Sequence, residues 1–133
     1  MAYKRAILFT QKWGGFLNIN EIVTATLRSV GLNVYFINKP NDEVNKKVSE
    51  YLTFNYLKVN DWYSNDVSEI TKHTVTINHV TNKLSDVVLK QSIISDSLLA
   101  NERVTDVRYL QSIYNNESNE YIGVYTCSIY SWL

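Results

Sequence analysis

The sequence predicts an α+β domain: a small mixed or antiparallel sheet, two to three helices packed on one face, and a C-terminal β-hairpin. Three observations carry this. Apolar residues recur at helical spacing in two separated stretches, Ile22–Val30 and Leu84–Leu98. β-Branched and aromatic runs at Leu32–Ile37, Thr74–Val80, Val104–Tyr114 and Tyr121–Trp132 suit pleated, half-buried surfaces. Only the polar run Asn115–Glu120 separates the last two, so they read as a hairpin. At 133 residues and 45% hydrophobic content the chain is the size of one domain, 1–133, with no repeat or internal boundary.

Taken in order, Ala6-Ile7-Leu8-Phe9 reads as a short strand within Lys4–Gln11, stopped by Gly14-Gly15. Its apolar part is too short for a signal peptide, so an intracellular product is expected. Asn18 followed by Glu21 has capping-box spacing, and Gly31 suits the left-handed position after a helix. Together they predict a helix over Ile19–Val30. Leu32–Ile37 is a strand that Pro40 ends, since proline drives the preceding residue toward extended geometry. Asn41-Asp42-Glu43 then resembles a helix start, with Val44, Val48, Tyr51 and Leu52 at helical spacing. Leu52, Phe54 and Tyr56 alternate, so a strand to Val59 competes with a longer helix. Turn chemistry at Asn60-Asp61 and Ser64-Asn65-Asp66 flanks Trp62-Tyr63. Lys83–Ala100 reads as a helix capped by Thr81 or Asn82, although Val87, Leu89, Gln91 and Ile93 also alternate as a strand would.

Thirteen basic and thirteen acidic residues cancel. A scattered, neutral charge set argues against sequence-specific nucleic-acid binding and against an anionic membrane surface. No apolar run reaches the length that spans a bilayer. The lone cysteine, Cys127, rules out an intrachain disulfide and lies in a strand, with no nucleophile elbow around it. His73 and His79 share one strand face by their even spacing, but no further ligands stand at metal-site spacing. The acid pairs Asp42/Glu43, Asp61/Asp66 and Glu117/Glu120 fall in caps and turns. No catalytic, cofactor or metal residues are therefore assigned, and a binding or structural role is expected rather than an enzyme.

The anomaly is aromatic content: ten Tyr and three Trp. Tyr and Trp favour interfaces because one end is apolar and the other hydrogen-bonds. Trp13, Trp62, Tyr63, Tyr114, Tyr121, Tyr130 and Trp132 fall in or beside predicted loops, turns and chain ends, and these seven form the candidate interface. The C-terminal strand has large residues on both faces, Tyr121, Tyr125 and Ile129 on one and Ile122, Val124, Tyr130 and Trp132 on the other. It is expected to be covered by helix on one side and by another chain on the other.

The order strand–helix–strand–strand over Thr74–Val80, Lys83–Ala100, Arg103–Tyr114 and Tyr121–Trp132 resembles that of small tail-terminator and head–tail completion (neck) proteins of tailed bacteriophages. The resemblance covers roughly the second half of the chain. It implies a virion protein without enzymatic activity or cofactor, assembled in the host cytoplasm as a homo-oligomeric ring beside adjacent virion proteins. The competing reading is a small phage-encoded adaptor or inhibitor that binds a host protein through its aromatic surface.

Overall fold

In a computed structural model, which describes the backbone of residues 18–64 and 67–132 and the side chains of 18–58 and 71–130, the first helix starts where the sequence places its cap. The Asn18 carboxamide oxygen accepts the Asn20 N–H at 2.8 Å, satisfying one of the orphan donors of a helix start. Helix α1 (Ile19–Leu27) passes into a 3-10 turn, Arg28–Val30, and Gly31 closes it at φ 85°, a conformation glycine adopts without a Cβ clash. The expected Ala6–Phe9 strand, the Gly14-Gly15 turn and Trp13 lie outside the described residues.

Strand β1 (Asn33–Phe36) pairs in parallel with β2 (Tyr51–Ser64), and β2 turns back into β3 (Val67–Thr81). Helix α2 (Leu84–Leu99) follows, then β4 (Val104–Asn115) and β5 (Glu120–Trp132). The five strands are ordered β1-β2-β3-β5-β4. Only β1–β2 is parallel, so the sheet is mixed, and β5, not β4, docks beside β3.

Three sequence expectations need correction. The helix expected after Asn41 is reduced to a three-residue 3-10 turn, Asn45–Lys47. Asp42 takes the Asn45 backbone N–H (2.8 Å) and carboxamide onto its own carboxylate, a local alternative to helix. Val44, 80% exposed, has no core to face, so the apolar spacing there drives nothing. The ambiguous Tyr51–Val59 is strand throughout. Secondly, α2 is capped at Lys83, not by Thr81 or Asn82; the Thr81 hydroxyl instead accepts the Lys83 N–H and donates to Asp86. Strand β3 also begins seven residues before the expected Thr74, pairing with the far half of β2.

The core lies between the sheet and the two helices. Residues opposite each other across antiparallel strands share a face, so Leu52–His79–Gly123, Phe54–Ile77–Tyr125 and Tyr56–Val75–Cys127 are rows on one side. Ile22, Val23 and Leu27 of α1 and Ile94 and Leu98 of α2 pack on that side in one buried cluster. Burying each such aliphatic side chain contributes about 1.5–3 kcal/mol before entropy is counted. Thr26 accepts from the Asn101 carboxamide at 2.9 Å and Ser29 donates to Ser97 at 2.8 Å, tying the end of α1 to the end of α2. The α2–sheet approach is closest at Gly123. A Cβ there would sit 3.2 Å from Val87 Cγ1, with the rings of Tyr109 and Tyr125 beside it. The opposite face carries Thr53, Asn78, Thr74, Thr76, Thr126 and Val124, and no described helix covers it.

Candidate functional site

Of the seven predicted interface residues, the six other than Trp13 fall at positions in two groups at opposite ends of one sheet. Tyr121 and Trp132 lie at the two ends of β5. Eleven residue steps along a strand carry them roughly 36 Å apart.

At the first end, the β4–β5 turn holds Tyr114 and Tyr121 directly across the ladder, ring centroids 4.8 Å apart and tilted. Aromatic pairs in that geometry stabilise by about 0.5–1.5 kcal/mol beyond their burial. The Tyr114 hydroxyl donates to the Asn119 carboxamide at 3.0 Å, and Asn119 takes a left-handed φ of 53° that asparagine tolerates. The Tyr109 and Ser112 hydroxyls hydrogen-bond to each other on the same face. Tyr114 is 47% exposed, and Leu110 and Ile113 beside it are also exposed. The outer edge of β4 pairs with no strand of the described sheet, leaving a 12-residue row with unpaired backbone groups. Register shifts between Thr105 and Arg108 and between Tyr109 and Gln111 twist its first half, so Gln111–Asn115 is the regular part.

A groove of about 280 Å³ opens on the uncovered sheet face at this same end. Val80, Ile122 and Ile113 form its apolar side, and Tyr51 and the Ile37–Lys39 turn form its wall. The wall is held under strain. Ile37 sits at φ 69°, costly for a β-branched residue, because its N–H donates to Phe54 (2.8 Å) while the Asn38 N–H donates back to Phe36 (2.9 Å). Lys39 Nζ lies 4.8 Å over the Tyr51 ring and donates to the Val48 carbonyl at 2.9 Å.

At the second end, Trp62 and Tyr63 occupy the last turns of ladder before the β2–β3 loop, in register with Ile70 and Ser68. Trp132 pairs with Ile70 in the neighbouring ladder, and half-buried Tyr130 with Lys72. The strand register thus brings the positions of Trp62, Tyr63, Tyr130 and Trp132 together, and separates them from Tyr114 and Tyr121, a division the sequence did not show.

The two histidines share a face, as their spacing requires, and it is the core face. They lie roughly 20 Å apart along β3 and both are buried. Burial, then the Lys58 charge, lowers the His73 pKa. Burial also lowers that of His79, against the opposing pull of Glu50, whose carboxylate meets His79 Nε2 at 2.7 Å. Lys90 Nζ joins the same Glu50 oxygen at 3.1 Å. Glu50 was not singled out by the sequence: it reaches His79 only through the β2–β3 register. Cys127 is buried, and its thiol is pushed up to about 12 by burial and then by Asp106, far from a neutral-pH thiolate. Among the described residues, no three His, Cys, Asp or Glu side chains stand close enough to hold a metal ion. No described helix is long and apolar enough to cross a membrane. No protein-family model matches the chain, and a search of curated proteins returns no match.

Proposed function

We propose that the chain is a structural, self-assembling subunit of a tailed-phage virion, of the tail-terminator or head–tail completion kind, in contact with copies of itself and with neighbouring virion proteins. The observation that carries the assembly reading is the placement of two different groups of aromatic positions at opposite ends of one sheet, one beside a β4 edge that no described strand pairs. A patch at each end of a body supports head-to-tail contact, in which one surface meets a different surface on the next copy and the series closes as a ring. The resemblance in element order supports the assignment to a virion neck or tail. The function is then binding geometry: the sheet fixes the distance between the ends, and the aromatic side chains supply rigid anchors of large area.

The test uses one substitution at each end. Tyr114→Glu and Trp62→Glu are each expected to stop growth beyond small species in sedimentation velocity. Mixed in equal amounts they retain one intact end-to-end contact between them and form a one-to-one end-to-end pair, whose two outer ends join no further copy. A wild type that stays monomeric but captures a host protein stoichiometrically would replace this reading with that of a host-binding adaptor. Variants that assemble like the wild type would remove it.

A further inference from the structure

Helix α2 is apolar on both sides: Val87, Ile94 and Leu98 are buried against the sheet and α1. Two of its three charged side chains turn toward its own sheet: Asp86 accepts from Thr81 at 3.1 Å, and Lys90 meets Glu50 at 3.1 Å. Its outer face instead carries Leu84, Val88, Leu89, Ile93 and Leu99, each between 42% and 66% exposed. Together these present on the order of 500 Å² of apolar surface, near the top of what one patch on a monomer carries and over half of what each side of a standard interface buries. A helix apolar on its outer as well as its inner side is expected to be covered.

The charges at its ends say by what. Lys83, a cation, sits at the N-cap with no side-chain cap bond. Asp96, the one charged residue on the outer face, lies in the last turn, where there is no basic residue. Both are reversed relative to the helix dipole, which favours acids at the start and cations at the end. An antiparallel second copy of the same helix corrects both at once.

We propose that the outer face of α2 packs against the same face of a second copy, antiparallel about a two-fold axis passing near Leu89 and Ser92. With 3.6 residues per turn, Ser85, Leu89, Ser92, Asp96 and Leu99 form one stripe. The axis sets Leu89 against the small Ser92, Val88 against Ile93, and Asp96 against Ser85 at the positive end of the second helix, beside Lys83. This contact relates copies by a two-fold axis and is independent of the end-to-end contact proposed above.

The experiment is done in a Tyr114→Glu background, which removes end-to-end growth. Sedimentation is expected to show a reversible dimer, abolished by Leu89→Glu without loss of the folded circular-dichroism spectrum. Ser92→Cys oxidises to a covalent dimer, since Cys127 is buried and does not compete; Asn116→Cys, in the exposed β4–β5 turn, does not. Lys83→Glu and Asp96→Lys each weaken dimerisation, roughly tenfold because each pair recurs twice by symmetry. Each also raises the melting temperature of the monomer by improving its helix ends, an opposite effect that misfolding would not give. The double variant restores dimerisation. A Tyr114→Glu protein monomeric at all concentrations, equal crosslinking at 92 and 116, or a double swap that does not restore, overturns this contact and leaves the end-to-end reading standing.

Discussion

Acid should weaken this fold through its two core histidines, before any carboxylate that folding holds low is titrated. His73 and His79 are 9% and 0% exposed, and burial is the leading cause that depresses both pKa values below 6.5. The groups facing His79 are Glu50, which favours its protonation, Lys90, which opposes it, and Asp86. His73 faces Lys58 and the edge of the Tyr56 ring, 5.6 Å between centroids. A depressed folded pKa means that the unfolded chain binds the proton first as pH falls. Stability is therefore full above about pH 6.5 and declines below it until the folded pKa is reached. The slope is at most about 1.4 kcal/mol per pH unit for each histidine, and it acts only between the unfolded pKa and the lower folded one. Against the roughly 5–15 kcal/mol typical of a domain, a slope of that order is measurable. Asp42, held low chiefly by the Asn45 backbone N–H, contributes only at lower pH. Urea unfolding followed by fluorescence, at pH 7.5, 6.5 and 5.5 and one fixed protein concentration, measures the effect. The midpoint is expected to fall with pH, and to fall less in His73→Gln, whose partners include no carboxylate. A midpoint that is flat or rises on acidification would refute the burial argument.

Strain at the groove wall, the buried Tyr125 hydroxyl and the last rungs of β5 give three further tests. Ile37→Gly relieves the positive φ at the groove wall and should raise stability by roughly 1 kcal/mol, net of the added chain entropy, in thermal unfolding. Tyr125→Phe keeps a fully buried ring and removes a hydroxyl with no hydrogen-bond partner among the described residues, so its unfolding free energy should match or exceed that of the wild type by up to about 1 kcal/mol. Deleting residues 130–133 removes the pairs Ile70–Trp132, Thr71–Ser131 and Lys72–Tyr130 and the Tyr130 N–H to Arg103 bond. It should cost solubility or assembly in a soluble-fraction and size assay; a truncated chain that behaves like the intact one would show that the last rungs of β5 support neither.

The parts of this fold legible in the sequence were those set by neighbours along the chain. Asn18, Gly31 and the spacing between them determine α1, because a cap and a left-handed stop act within one turn. The polar Asn115–Glu120 run determines the β4–β5 turn for the same reason. The second helix expected after Asn41 failed because its cap chemistry was real but its apolar face had nothing to pack on. The first half of β3 was missed because Ser68-Glu69-Ile70-Thr71-Lys72 has no period of its own and takes strand geometry from its two neighbours. The order of the strands, the core face of β5 and the Glu50–His79 contact depend on register between segments far apart in sequence, which no local pattern carries. The candidate interface residues were legible as aromatics. Their division between two ends, and the apolar outer face of α2, emerged only when the strands and helices were set side by side.

The central claim is self-assembly, and sedimentation velocity of the intact chain over a wide concentration range tests it most directly. The expected result is a concentration-dependent shift from small species to one closed oligomer of fixed size, lost in Tyr114→Glu and in Trp62→Glu. A single species of one-chain mass at every concentration would contradict it.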